Sequence, residues 1–452
     1  MSSTAQLAAE LPSIELLLPS SEDFESRRSN YSLDSRVQPA AIAIPKDADE
    51  VAALVRYAAQ RSVDLTVRAG GHDIFSRQLV EGGLVIDIRE LNHVTIDKAA
   101  STAVIGGGVL FEKLIEVLDQ HGCVTPTGNI GTVGYVGWAT TGGYGQMAAK
   151  YGLGVDHLLS AKIVNAAGLI VEADDDTMKG IRGACGNFGV IVEATIKIYP
   201  PTRLTIWILA GNIIFESTDF ANTIQKVHEG IEAMKAADGL PDEIDVQPAY
   251  ANSPLGPVFG VVFCWASPDI ERGQKCLDKI LSLAPVLMNQ VVPCSVPGLF
   301  AAAAALAVSH AHVSARSISI RTVNQNILDV VKRQCGLMLA ALGCLVTWHE
   351  LRASSPWSKR GKPHYILEII ACAVEEENLG AVAAWRKGFV DEVLEKAPEE
   401  ILECQWLPMT PGQELRGLEN LYGEEDARFL KKLKRVKDPD NVFKHALPSL
   451  LS

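Results

Sequence analysis

Between Gly128 and Gly145 the chain spends seven of eighteen residues on glycine: Gly128, Gly131, Gly134, Gly137, Gly142, Gly143 and Gly145. Each glycine gives up more backbone freedom on folding than any other residue, so the run needs a structural return. Close approach of backbone to a large flat ligand supplies one. The interleaved Ile130, Val133, Val136 and Trp138 point to burial rather than to a surface loop. The run is not the G-x-G-x-x-G turn between a first strand and its helix, so a doubly wound dinucleotide fold does not follow.

Around this segment strands and helices alternate. Ala40–Ile44 reads as a strand, Asp47 or Asp49 as a cap, and Val51–Gln60 as a helix with apolar residues at helical spacing. Short strands at Leu65–Val67, Leu84–Ile88 and Ala103–Ile105 precede a helix at Leu110–His121, and strands return at Ala161–Asn165, Leu169–Glu172 and Val190–Ile198. Pro200-Pro201 marks a boundary. Beyond it, strands are predicted at Leu204–Phe215, Val258–Trp265, Ser314–Arg321, Leu345–Leu351 and Tyr365–Ala371. Helices are predicted at Thr223–Ala236, Ile270–Ala284, Asn324–Ala341, Leu379–Leu394 and Glu425–Lys437. This pattern implies an α+β chain.

Length and composition then exclude whole classes. At 452 residues, 48% hydrophobic and 21% charged, the chain has ample material for packed domains and too many apolar residues for disorder. Its net charge of −13 argues against nucleic acid and anionic membranes as partners. No run reaches the eighteen or so apolar residues of a membrane span, and the longest, Leu299–Val308, reads as a buried helix. Nine scattered cysteines without a C-x-x-C pair fit a reducing compartment. The absence of a signal-like core near Met1 adds to an expected cytoplasmic location. The sequon Asn30-Tyr31-Ser32 is weak support for the opposite.

Four motifs occur in order: Arg68-Ala69-Gly70-Gly71-His72-Asp73, the glycine run, Arg182-Gly183-Ala184-Cys185-Gly186-Asn187-Phe188-Gly189-Val190, and Asp438-Pro439-Asp440-Asn441-Val442-Phe443. A glycine pair after a strand lets amides approach a phosphate, although alone it is usually only a turn. Together, from about Gln38 to Pro448, the four resemble the FAD-linked oxidases of the vanillyl-alcohol-oxidase superfamily, in its berberine-bridge-enzyme-like and 6-hydroxy-D-nicotine-oxidase-like branch. The resemblance implies a PCMH-type FAD-binding domain of two α/β subdomains at 38–202, after a lead-in at 1–37. A substrate domain with a mainly antiparallel sheet backed by helices is implied at 203–414. A segment at 415–452 returns to the FAD domain.

By the same resemblance, His72 bonds covalently to the flavin, while the amides of Ala69, Gly70 and Gly71, with Asp73 and Ser76 on the same loop, hold the pyrophosphate. Gly131, Thr132, Val133, Gly137, Gly142 and Val192 line the remainder of the FAD, and Asn441 closes the site. Ile130 stands where many relatives carry a second flavin-linking cysteine, so one covalent bond is expected. Val133 stands at a position whose small size is associated with oxygen access, which favours an oxidase using molecular oxygen.

On the substrate side, Tyr365-Ile366-Leu367-Glu368 matches a family strand motif, making Glu368 the base with Tyr365 beside it. Burial in an apolar strand would raise the Glu368 pKa to a useful range; the alternatives are a solvent-facing residue or an ion-paired one. The tyrosine that relatives carry near the end of the substrate domain is missing from Glu403-Cys404-Gln405-Trp406-Leu407-Pro408-Met409. Sugar oxidation is therefore disfavoured, and Trp406 and Met409 suggest an apolar or aromatic secondary metabolite. The expected activity is FAD-dependent oxidation of such a small molecule, with hydride passing to flavin N5. The alternatives are a redox-neutral isomerase or cyclase, and a non-catalytic flavin carrier.

Three features stand apart. His310 and His312 lack a third ligand at metal spacing and read as core or pocket residues, so no metal is expected. His349-Glu350 could reach the pocket, although a pair at a strand end is usually on the surface. Lys431-Lys432-Leu433-Lys434-Arg435 reads as the solvated face of an amphipathic helix. The oligomeric state is left open.

Overall fold

The computed structural model describes residues 3–33, 36–199, 208–216, 218–253, 256–304, 311–338, 343–352, 363–402, 410–411 and 417–451. They form two compact units. One comprises Met1–Gly143, Leu153–Pro200 and Arg416–Ser452, and the other Tyr144–Gly152 with Pro201–Leu415. The positions 403–409, which include Trp406 and Met409, lie outside the described residues, as does His310.

The first unit has two sheets. In one, Glu15–Leu17 pairs antiparallel with Ala41–Ile44, and parallel strands follow in the order Ala41–Ile44, Leu84–Asp87, Leu65–Arg68. Parallel strands need a crossover, and the Ala48–Arg61 helix provides it. Asp47 begins that helix by accepting a hydrogen bond from the Glu50 amide at 2.9 Å, a cap of about 1 kcal/mol. Its apolar side, Val51, Leu54, Val55 and Ala58, is buried in one cluster with Ala41, Leu65, Leu84, Val192 and Phe443. The other sheet has five antiparallel strands, in the order Val94–Asp97, Thr102–Gly106, Val190–Lys197, Leu158–Val164 and Ile170–Glu172.

The second unit is built on an eight-stranded antiparallel sheet. Its main path runs Val286–Asn289, Ile208–Phe215, Gly256–Trp265, Ile244–Ser253, Gly343–Leu351, His364–Ala373, His312–Ile320. Paired residues project to the same side of a sheet and alternate along each strand. One side carries Phe259, Val261, Phe263, Trp265, Val346, Trp348, Leu367 and Ile369. It is covered by residues of the helices Phe220–Asp238, Ile270–Leu281, Gln325–Gly336 and Leu379–Lys396 in a single core. The opposite side carries Thr347, His349, His364, Ile366, Glu368, Ser317 and Ser319.

Several sequence expectations change here. A strand at Ile244–Ser253, not among the expected elements, is central to the sheet. Lys434 is not on a solvated face: it is 1% exposed, and its ammonium donates to Asp438 Oδ2 at 2.7 Å and to the carbonyls of Asn187 and Phe443. Asn30 of the sequon is buried, donating to Ser76 Oγ at 3.0 Å. In the Val296–Ala304 helix Leu299 and Phe300 are buried but Ala301 is exposed. Among the described residues no helix is long and apolar enough to cross a membrane.

Candidate active site

In the first unit the strand Leu65–Arg68 delivers the chain into Ala69-Gly70-Gly71-His72. This turn packs directly on the glycine run. A Cβ on Gly70 would stand 2.3 Å from the Thr132 carbonyl oxygen and 2.7 Å from the Gly134 amide nitrogen. Gly71 has φ +71°, and a Cβ there would meet the buried Arg68 guanidinium. Both positions therefore exclude a side chain. His72 follows, with Nε2 2.7 Å from Thr132 Oγ1 and its ring stacked at 4.8 Å on Tyr31. Burial, aided by the nearby Arg68 charge, lowers its pKa to about 4, so the imidazole is neutral at pH 7.

The rest of the loop is held rigidly. Asp73 is occupied within it, accepting from the Phe75 amide at 2.9 Å and from Arg77 Nε at 2.7 Å. Ser76 adopts φ 58° with its hydroxyl accepting from Asn30. In the glycine run, Val136 and Gly142 are buried, whereas Gly131, Val133 and Trp138 are half-buried and Thr132 and Gly137 exposed. Gly137 has open space where a Cβ would be. Gly142 needs its glycine, because its φ is +120°. Val192 is buried, and its carbonyl accepts from the Gly107 amide at 2.9 Å.

The C-terminal motif joins this unit through Asp438. That carboxylate, fully buried, accepts from the Val442 and Phe443 amides and from Lys434. It thereby turns the chain so that Phe443, Val442, Val192 and Ala69 share one apolar cluster. Asn441 sits in the turn at φ 51°, its buried Oδ1 without a protein partner. The structure thus brings together residues from all four motifs, the 182–190 segment placing Val190 in that apolar cluster and Cys185 Sγ 3.6 Å from the Thr140 carbonyl of the glycine run. Of that segment, Asn187 donates to the Pro448 carbonyl at 2.9 Å.

In the second unit Glu368 lies in mid-strand, 7% exposed, with Ile366 and Ile370 on its own side. Burial raises its pKa to about 7. The Tyr144 hydroxyl donates to its Oε1. Tyr144 comes from the end of the glycine run, which the sequence reading treated as a cofactor segment only. Its ring lies 4.7 Å from that of His349. His349 is 5% exposed, so the surface placement usual for such a pair does not hold here. Alternation places His349 on the Glu368 side, two residues from Thr347, which pairs with Glu368. Burial and neighbouring His364 lower the His349 pKa to about 3.

Tyr365 does not join this group. Three residues from Glu368 on a strand, it projects to the opposite side. There its hydroxyl donates to Glu232 at 2.8 Å and accepts from Lys235, which in turn pairs with Glu350 at 3.1 Å. The phenol beside Glu368 is therefore that of Tyr144, and not the Tyr365 of the sequence motif. The period-two rule applied to residues 365 and 368 would have separated them. Among the described residues no group of three His, Cys, Asp or Glu side chains could hold a metal ion.

Comparison with known proteins agrees with these features. An FAD binding domain family matches residues 39–174. The FAD-linked oxidoreductase aurO of Gibberella zeae is 28% identical over 455 residues, covering 98% of this chain and 87% of that protein. The (R)-6-hydroxynicotine oxidase of Paenarthrobacter nicotinovorans is 35% identical over 193 residues, 42% of each chain. The crystal structure of 6-hydroxy-D-nicotine oxidase from Arthrobacter nicotinovorans superposes with a TM-score of 0.85 at 21% identity, covering 96% of this chain and 97% of that one. Physcomitrella patens BBE-like 1 does so with a TM-score of 0.83 at 19% identity, covering 98% and 97%. At these identities the two structures speak to the fold alone. The chain thus carries an FAD binding domain and is similar over nearly its whole length to an FAD-linked oxidoreductase, on the fold that the 6-hydroxy-D-nicotine oxidase and BBE-like 1 structures share.

Proposed function

We propose that the chain is an FAD-dependent oxidase of a small, largely apolar or aromatic metabolite, with molecular oxygen as electron acceptor. The observation that carries the reading is the buried Glu368 carboxyl with the Tyr144 phenol bonded to it. A carboxyl with a pKa near 7 is matched to taking a proton from a substrate at neutral pH. The phenol donates a hydrogen bond to the carboxylate, which favours its ionised form and opposes the effect of burial. Apolar Ile366 and Ile370 on the same side exclude water from the proton transfer.

The first unit fits FAD. Its glycine-lined turn leaves backbone amides open to an anionic group, and Asn441 Oδ1 is a buried acceptor lacking a partner. Residues Ala69, Gly70, Gly71, Gly131, Thr132, Val133, Gly137, Gly142, Val192 and Asn441 would hold the cofactor, with the rigid 73–76 turn behind them. His72 would form the single covalent link: its neutral ring has a lone pair available, and Thr132 orients it. FAD, when bound, accepts two electrons from the substrate and is reoxidised by oxygen to give hydrogen peroxide. These assignments support dividing the chain into an FAD-binding domain at 38–202 with 415–452, and a substrate domain at 203–414.

Purified protein tested aerobically against a panel of neutral phenols and alcohols checks the reading. A yellow protein that releases peroxide with at least one of them, and a Glu368→Gln variant that keeps its colour but loses peroxide formation, is the expected result. A colourless protein would sink it. Anaerobic turnover without peroxide would instead establish the redox-neutral isomerase or cyclase.

A further inference from the structure

The Glu368 side of the second unit holds a polar group that the proton transfer does not use. His349 is only 5% exposed, yet among the described residues neither Nδ1 nor Nε2 has a hydrogen-bond partner. Its near neighbours on that side are otherwise engaged. The Thr347 hydroxyl donates to the Pro248 carbonyl at 2.9 Å, and the Tyr144 hydroxyl to Glu368. Two residues beyond Tyr144, Gln146 has a buried amide oxygen that is also unpartnered. A buried polar group left unsatisfied is uncommon in a folded protein and points to a missing ligand.

We propose that His349 binds the substrate directly, as the residue that recognises an uncharged hydroxyl or carbonyl group on an otherwise apolar molecule. This deepens the reading of the Glu368 side as the substrate side, and rests on it. A neutral imidazole offers one donor and one acceptor, and the ligand decides which nitrogen carries the proton. Its burial keeps it neutral, so it presents no cation to a carboxylate or phosphate. Nor do the side chains that flank it on that side: Leu345, Thr347 and Leu351 on its own strand, His364, Ile366, Glu368 and Ile370 on the next, and Ala315, Ser317 and Ser319 on the third. The Ile244–Ser253 strand, on the other edge of the His349 strand, turns buried Asp245 to the same side, so the formal charges there, on Glu368 and Asp245, are negative and disfavour an anionic ligand further. The tilted contact with Tyr144 fixes the ring plane, so that a bound hydroxyl would be held beside the Glu368–Tyr144 pair.

Isothermal titration calorimetry of the purified holoprotein at pH 8 tests this without needing turnover. Three probes of similar shape are 4-methylphenol, 4-fluorotoluene and the anion 4-methylbenzoate. The first is expected to bind at least tenfold more tightly than either of the others. His349→Leu should abolish the preference over 4-fluorotoluene, while His349→Gln, which keeps a donor and an acceptor, should retain part of it. Equal affinities in the wild type, no measurable binding of 4-methylphenol, tight binding of 4-methylbenzoate, or a preference surviving in His349→Leu would each overturn the proposal. Flavin content, read from the absorbance of the same denatured sample, reports separately on the oxidase reading. Its loss would leave the probe affinities interpretable.

Discussion

Glu368 and Tyr144 form a pair whose protonation sets the working pH. A carboxyl whose pKa is raised to about 7 acts as a base only above that value. The substrate-dependent rate should therefore rise with pH through about 7. The groups facing Glu368 include Tyr144, His349 and His364, and His349, its pKa lowered by burial to about 3, changes no charge near that pH. Tyr144→Phe removes a donor that favours the carboxylate, so the rising limb should move to higher pH. Glu368→Gln should lower the rate by about 10²–10⁴. The same burial predicts a stability effect of definite sign. A folded-state pKa above the unfolded value means that Glu368 fits best when protonated. Its favourable contribution is present below about pH 4.5 and lost as pH rises to about 7. Above that, the buried charge costs on the order of 3 kcal/mol. Glu368→Gln should thus raise Tm at pH 8 and change it little at pH 5. An equal shift at both would contradict the burial argument.

Among the elements, those with one clear period were legible from residues alone. The Ala48–Arg61 helix has its Asp47 cap and a single apolar side, and the Glu368 strand is apolar from Ile366 to Ala373 save at Glu368 itself. The Ile244–Ser253 strand was not legible, because Pro248 interrupts a mixed polar segment and lacks the amide a central strand normally donates. Pairing on both sides overrides that, and Thr347 uses the Pro248 carbonyl. Lys434 was misread for a related reason. Its helix is amphipathic, but one lysine of a basic run turns inward to a carboxylate four residues on. Removing a single partner of a buried pair leaves the other charge stranded. Lys434→Ala should destabilise the first unit by roughly 3–5 kcal/mol, measured by chemical unfolding, whereas Lys432→Ala should be nearly silent. At the cofactor turn, Gly70→Ala would push a methyl into the Thr132 carbonyl. A fall in bound flavin is expected, with a loss of about 1–3 kcal/mol in stability.

At the scale of the whole chain, the glycine run proved more informative than charge or composition. A net charge of −13 cannot draw in an anionic cofactor, so local backbone must do so. The run also ends by supplying Tyr144, which belongs to the second unit and bonds to Glu368 there. The cofactor side was readable because glycines and a histidine at fixed spacing have few other uses. Of the group around Glu368, the sequence motif pointed to Glu368 alone, since Tyr144 and His349 reach it through packing and pairing distant in sequence. The central claim is that His72 anchors FAD through one bond. Mass spectrometry of the denatured, protease-digested protein tests it most directly. The account predicts one flavin-bearing peptide, the one containing His72, with the adduct abolished in His72→Ala. A flavin mass on the peptide containing Ile130, or flavin released entirely free by denaturation of the wild type, would contradict it.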